Sequence, residues 1–347
     1  MSYEARIRVA VLGAGGLGKA AAKIIALKQE LSLVAICDSQ GLITSEQGLD
    51  AEALGAISGD LVDGYRRMEE GGDSSGGVAV AEAVEARHAD DPIGKIVAMA
   101  GSLDAVLITL PNLPNEFIPG VIRRFAEAKA PLVFVDVLKR TQAVEQMFEL
   151  DSLVSASRAV VLTGCGATPG LLAAAAVLAA QSFIEVEKVD IFWGVGIANW
   201  EAYRATIRED IAHLPGYSVE RAKAMSDAEI DALLSRTGGL LELREMAHAD
   251  DVLLQRAGVV DERSQVSVGG IMDTRHAKKP VSTTMTLTGI TFEGKRSSHT
   301  FVLGDETTMA ANVIGPALGY LKRGLWLRDR GLFGVFGSTE FLPMVVR

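Results

Sequence analysis

The chain has 347 residues, more than one compact core usually serves, so two domains are expected. Hydrophobic residues make up 48% and mean hydropathy is +0.24, which excludes a disordered chain. With 34 Lys plus Arg against 44 Asp plus Glu, the formal charge of −10 argues against a broad nucleic-acid or anionic-membrane footprint. The two cysteines, Cys37 and Cys165, stand outside any Cys/His cluster, so neither a structural metal nor a disulfide framework is expected. Met1 to Arg6 leads straight into an apolar segment and leaves no room for a signal peptide. The longest apolar run, Gly170 to Ala180, is too short to span a bilayer. The expected setting is cytoplasmic and reduced, without membrane or nucleic-acid partners.

Ile7 to Leu12 predicts a short buried strand, and Leu17 to Leu27 a helix with apolar residues grouped on one side. Between them lies Gly13-Ala14-Gly15-Gly16-Leu17-Gly18. Gly13 permits the tight turn, Gly15 lets a diphosphate approach the backbone, and Gly18 lets helix and strand pack closely. The helix N-terminus then favours negative phosphates. A second strand, Leu33 to Cys37, ends at Asp38, twenty residues beyond Gly18, where a carboxylate can hold an adenosine ribose. Asp38 would repel a 2′-phosphate, which favours NAD while leaving NADP possible. The alternative for Asp38 is a strand-end acid capping the turn at Ser39-Gln40-Gly41.

Ala51 to Ala56 reads as a helix, whereas Gly59 to Asp91 is irregular, with a glycine-rich loop over 69–77 and no clear third strand. Order returns at Asp104 to Leu110, a strand ending at Pro111-Asn112 beside the glycine turn. A helix follows over Phe117 to Ala128, then a strand from Pro131 to Asp136 that delivers Asp136 and Lys139 to the same edge. Val144 to Ser157 is helical, and a strand over Ala159 to Leu162 runs into Thr163-Gly164-Cys165-Gly166-Ala167-Thr168-Pro169-Gly170. A buried helix is expected from Leu171 to Phe183, a strand from Val186 to Val195, and a polar helix or ordered loop from Asn199 to Leu214. Ser226 with Glu229 forms a capping-box signature for a helix to about Ser235. Two alternating runs, Thr283 to Phe292 and Ser297 to Leu303, form a hairpin, and Thr307 to Lys322 a closing helix.

The chain resembles the saccharopine dehydrogenase-like oxidoreductases, in the wider group that includes homoserine dehydrogenase. Three patches carry this: Val11 to Gly18 with Asp38, Val106 to Asn112, and Gly164 to Gly170. Asp38 to Gly41 with Gly48 to Asp50 is also similar to the corresponding stretch of homoserine dehydrogenases. The resemblance implies a nicotinamide coenzyme, held by Gly13, Gly15, Gly16, Leu17, Gly18, Asp38, Ser39, Leu110, Pro111 and Asn112, and an amino-acid-derived substrate. It also implies a lysine near the nicotinamide, a position that Lys139 fills.

Hydride transfer asks the protein for orientation, exclusion of water and a group that handles a proton. Lys139 is the first catalytic candidate, against the alternative of a surface lysine beside Arg140. The Gly164–Gly170 turn, through Gly166, Thr168 and Pro169, is a substrate candidate, against a plain domain-crossing turn. Arg204 and Arg208 share a face with Trp200 and suit a substrate carboxylate, with His213 as an acid–base partner near neutral pH. The alternative there is a solvated helix whose arginines are neutralised by Glu201, Glu209 and Asp210. Cys165 reads as a packed residue.

The expected architecture is α/β: a Rossmann doubly wound parallel sheet over 1–165 completed by a helix over 306–325, a second α+β substrate and dimerisation domain over 166–305, and a C-terminal tail over 326–347. The open face of the hairpin predicts a homodimer or higher homo-oligomer. The expected activity is NAD(P)-dependent redox at a C–N or C–O centre of a saccharopine-, opine- or homoserine-like metabolite. Its alternatives are an NAD(H)-binding sensor of the same fold and a redox-neutral NAD enzyme resembling homospermidine synthase.

Overall fold

A computed structural model of the chain describes residues 6–71, 84–111, 114–198 and 200–347. Among these residues two sheets carry the architecture. The strands of the first are β1 (Ile7–Leu12), β2 (Leu31–Cys37), β3 (Gly41–Ser45), β4 (Val84–His88), β5 (Ala105–Ile108), β6 (Val133–Asp136) and β7 (Val160–Thr163), joined late by a C-terminal strand. Those of the second are β8 (Phe183–Gly196), β9 (Leu240–Leu243), β10 (Val266–Asp273), β11 (Thr283–Thr291) and β12 (Arg296–Leu303). The C-terminal strand is β13 (Gly334–Gly337).

The first sheet runs β13-β7-β6-β5-β1-β2-β3-β4, parallel from β13 to β2 and antiparallel across β2-β3-β4. The parallel strands are continuous apolar runs, buried on both faces, because helices cover both sides. The helices Gly16–Ala26 and Met309–Arg328 pack on one face, and Phe117–Glu127 and Thr141–Phe148 on the other. This is a Rossmann-type doubly wound sheet. Its order reverses between β1 and β5, and the carboxyl ends of those two strands open a crevice there.

The second sheet runs β12-β11-β8-β10-β9, with β8 and β10 parallel and the other pairs antiparallel. Its core packs Leu172, Ala176 and the helix residues Ile207, Ile211, Ile230 and Leu234 against Val189, Ile191, Val268 and Leu287. The predicted hairpin forms between β11 and β12, and the Ser226–Glu229 capping box opens the helix Asp227–Arg236.

Several expectations are corrected. The stretch read as irregular over 59–91 contains the helix Leu61–Gly71 and strand β4, with 72–83 outside the described residues. Val84-Glu85-Ala86-Arg87-His88 carries little apolar signal because β4 is an edge strand. The helix expected over Val144 to Ser157 is two helices, Thr141–Phe148 and Asp151–Ala156. The tail expected over 326–347 instead supplies the end of the helix Met309–Arg328 and strand β13, which pairs with β7. Strand β10 escaped prediction because Gly269-Gly270 interrupts it. A Cβ at Gly270 would lie 2.2 Å from Cδ2 of Trp193, so the glycine makes room for the indole.

Candidate active site

The glycine turn follows from sterics. Gly13 has φ +104° and lies so close to β5 that a Cβ there would come within 2.7 Å of the Thr109 carbonyl oxygen. A Cβ on Gly18 would fall 1.7 Å from the carbonyl oxygen of Gly13. The Thr109 hydroxyl ties the turn down by donating to the carbonyls of Leu12 and Gly13, each at 3.0 Å. Gly15 differs, because its backbone is ordinary (φ −72°, ψ −166°) and a Cβ would meet nothing within 4 Å. Neither conformation nor packing within the chain requires a glycine there, and the open side is the crevice. Gly15 is also the N-cap of the helix Gly16–Ala26 and gives it no side-chain cap, so its leading N–H groups face outward. These residues fit the diphosphate of an adenine dinucleotide.

Gly13, Gly15, Gly16, Leu17, Asp38, Ser39, Leu110 and Pro111 line one cleft of about 620 Å³; Gly18 is buried behind them, and Asn112 lies outside the described residues. Asp38 Oδ1 accepts from the N–H groups of Gln40 (2.8 Å) and Gly41 (2.9 Å), so it caps its turn as well as facing the cleft.

The same cleft continues between the sheets, where the chemistry comes from side chains. Lys139 leaves the end of β6 and places Nζ 2.7 Å from Asp210 Oδ1 and 3.5 Å from Glu209 Oε2. Both carboxylates are only 2% exposed. Burial works against the lysine charge, but Asp210 and Glu209 outweigh it and hold the ammonium above the ordinary lysine range. Beneath Lys139, Asp136 is fully buried and accepts from Leu138 N (3.0 Å), Thr163 Oγ1 (3.0 Å) and Gly164 N (2.9 Å). It thereby joins the loop after β6 to the turn after β7. Burial pushes its carboxyl up to about 6 despite those donors.

Of the substrate candidates, Gly166 and Thr168 line the cleft and Pro169 is buried beside them. Burial pushes the Cys165 thiol well up, so it is a packed, unreactive group. The arginines are placed differently from expectation. Arg204 lines the cleft but spends Nε on Asp227 Oδ2 (2.9 Å), and Arg208 lies outside the lining, bonded to Asp227 Oδ1 and the Met225 carbonyl, each at 3.0 Å. Asp227 neutralises them, while Glu209 and Asp210 serve Lys139. His213 also departs from expectation: burial first, then Lys139, pushes its imidazole down to about 4, and it is absent from the cleft lining.

The histidine that does line the cleft is His248, which sequence reasoning passed over. Its Nδ1 lies 2.7 Å from Asp250 Oδ2, and the same carboxylate oxygen accepts from Thr168 Oγ1 at 2.7 Å. The available signal was the tripeptide His248-Ala249-Asp250 at the start of the helix Asp250–Arg256. Trp193, Met246, Met272, Leu303 and Met309 add apolar side chains to the lining.

Residues 2–87 match the family model described as glutamate/leucine/phenylalanine/valine dehydrogenase. An engineered D-amino acid dehydrogenase bound to NADP+ has the same fold at a TM-score of 0.56 and 15% identity, over 97% of this chain and 94% of that one. The C. glutamicum DAP dehydrogenase in complex with DAP gives 0.55 and 16%, over 96% and 93%. The (S)-8-amino-7-oxononanoate synthase BioU of Haloferax mediterranei is 45% identical over 97% of this chain and 99% of its own length. The chain belongs to the family of that synthase.

Proposed function

We propose that this chain is an NAD(P)-dependent oxidoreductase acting at a C–N or C–O centre of an amino-acid-derived metabolite, an amino ketone carried on an aliphatic acid such as (S)-8-amino-7-oxononanoate. The observation that carries the reading is one cleft in which the uncapped Gly15 turn meets the buried Lys139–Glu209–Asp210 cluster. The printed name of the 45% identical relative, a synthase of (S)-8-amino-7-oxononanoate, supports an amino ketone as reactant or product within the amino-acid-derived class.

The turn from Gly13 to Gly18 holds the diphosphate, Asp38 and Ser39 meet the adenosine ribose, and Leu110 and Pro111 flank the nicotinamide end. When bound, the nicotinamide supplies hydride exchange with a substrate carbon. Lys139 keeps its proton because two buried carboxylates require a cation between them, so it acts as a fixed hydrogen-bond donor and positive charge beside the reacting group. The apolar wall of Trp193, Met246, Met272 and Leu303 takes the aliphatic chain, and the methionines adapt to its shape. A homodimer in a cytoplasmic setting belongs to the same proposal. It is supported by β12, exposed from Arg296 to Val302 at the edge of the second sheet, and by the finding that no helix among the described residues is long and apolar enough to cross a membrane.

Calorimetric titration with NAD+, NADH, NADP+ and NADPH, followed by nicotinamide absorbance with (S)-8-amino-7-oxononanoate, tests this. Saturable binding of one coenzyme pair and a substrate-dependent change in its redox state are expected. Absence of heat with all four forms would refute it; binding without net redox would favour redox-neutral or sensing use of the site.

A further inference from the structure

We infer that Asp136 is a positioning residue for the redox step: its carboxylate sets the Lys139 segment against the turn over 164–168. The inference rests on the oxidoreductase reading above. Lys139 and Thr168 reach the cleft from neighbouring strands, β6 and β7. The last residues those strands pair with each other are Val135 and Leu162. Beyond them that ladder ends, so the two outgoing segments need another link. Asp136, which is completely buried, supplies it.

Oδ1 of Asp136 accepts three hydrogen bonds. One, from Leu138 N at 3.0 Å, closes a side-chain turn within its own segment and directs the chain towards Lys139. The others, from Thr163 Oγ1 at 3.0 Å and Gly164 N at 2.9 Å, come from the neighbouring segment. The Asp136 carbonyl accepts a further bond from Cys165 N at 2.9 Å. Gly164 has φ +66°, so the chain leaves β7 in a left-handed conformation that its N–H bond to Asp136 helps to hold. The two segments are joined again at the cleft. There the Lys139 carbonyl accepts from Ala249 N at 2.8 Å, and Thr168 Oγ1 donates to Asp250 Oδ2 at 2.7 Å. Asp136 thus closes, from the sheet side, a ring of contacts whose cleft side is Lys139, Thr168 and residues 248–250.

The charge of this carboxylate is met by hydrogen-bond donors, because Lys139 turns its ammonium to Asp210 Oδ1 and Glu209 Oε2 and the neighbouring titratable group is the Cys165 thiol. Charge-assisted bonds are shorter and stronger than neutral ones, which suits a tie that must fix position. Oδ2 is buried with no partner among the described residues, so the tie runs through one oxygen. Losing Oδ1 would release both segments at once, while Lys139 keeps its carboxylate partners on the helix Arg204–Ile211. None of these bonds involves the turn from Gly13 to Gly18, so coenzyme binding is independent of them.

The test compares wild type with Asp136→Leu and Asp136→Asn, using (S)-8-amino-7-oxononanoate and the coenzyme that titrates tightest. Rates are taken per coenzyme-binding site, so that unfolded protein is not counted. A displacement of Lys139 by about 1 Å should cost Asp136→Leu on the order of 10²-fold in kcat, with coenzyme affinity retained. Asp136→Asn, which keeps the acceptor oxygen, should recover most of that loss. In ¹⁵N-lysine-labelled protein, the Lys139 ammonium resonance, identified by its absence from Lys139→Arg, should shift in Asp136→Leu and return towards wild type in Asp136→Asn. A carboxyl that only stabilises the fold would lower the folded fraction and leave kcat per site and that resonance unmoved, which overturns the inference. If Asp136→Leu does not fold, Thr163→Val removes one donor instead. It should lower kcat per site and shift the resonance, and Thr163→Ser should reverse both; unmoved values again overturn the inference. If the wild type binds no coenzyme or turns nothing over, the oxidoreductase reading fails while the resonance still reports how Lys139 is held, so the two failures are distinguishable.

Discussion

The two ends of the cleft are built in opposite ways. At the coenzyme end, six consecutive residues, Gly13 to Gly18, present backbone N–H groups, and the side chains matter mainly by being absent. At the end proposed for the substrate, Lys139, Thr168, Asp210, His248 and Met272 arrive from five segments of the chain, and side chains rather than backbone line it. The first end is local and steric, so it is robust to what surrounds it. The second is electrostatic and distributed, so each group's state depends on partners remote in sequence.

The sharpest way to break this contrast is Lys139→Met. It strands Glu209 and Asp210 in a buried setting, with an expected cost of about 3–5 kcal/mol in unfolding free energy together with loss of turnover. If chemical denaturation shows an unchanged midpoint, the cluster is not held by that charge. Calorimetry on whatever fraction remains folded should still show coenzyme binding, because the glycine turn does not use Lys139.

Asp136→Asn probes the same end through pH. A carboxyl raised from an unfolded value near 3.9 to about 6 binds its proton more tightly in the folded state. Its stability contribution is therefore complete below about pH 3.9 and is lost as pH rises through about 6, a change of about 3 kcal/mol. The asparagine can still accept from Leu138, Thr163 and Gly164, so its unfolding free energy should lack that decline. Parallel pH profiles for the two proteins would contradict the assignment.

Gly15→Val tests the coenzyme end in isolation. Because a Cβ there meets no atom of the chain, stability should stay within about 0.5 kcal/mol of wild type. Coenzyme affinity should nevertheless fall by more than about tenfold, or about 1.4 kcal/mol, as the branched side chain occupies the diphosphate's place. Equal affinity would remove the turn from the binding site.

Arg208→Lys is the mildest. The arginine fork joins Asp227 and the Met225 carbonyl beside a half-exposed acid, so about 0.5 kcal/mol of stability is at stake and KM for substrate should not move. A raised KM would restore the arginine to substrate recognition.

The element pattern of the coenzyme end was legible because strand, turn, helix and strand are all set by residues within a few positions of one another. Gly13, Gly18 and Asp38 announce themselves by spacing alone. Strand β4 was not legible, since an edge strand needs no continuous apolar run, and β13 was hidden in a segment whose strand character comes from pairing with β7. Arg204, Arg208, Glu209 and Asp210 were all visible as charges on one stretch, yet their pairing inverted the expectation. Asp227, at the start of the helix Asp227–Arg236, takes the arginines, which frees the two acids for Lys139, about seventy residues earlier in the chain.

By itself, the order of amino acids determined the Rossmann turn, the acid that ends β2 and the hairpin, because backbone sterics and hydrophobic periodicity act over short separations. Only the tertiary structure decided which histidine meets the cleft and which carboxylates hold the lysine. Burial and charge pairing are properties of places where distant segments converge, and no local pattern of residues carries them.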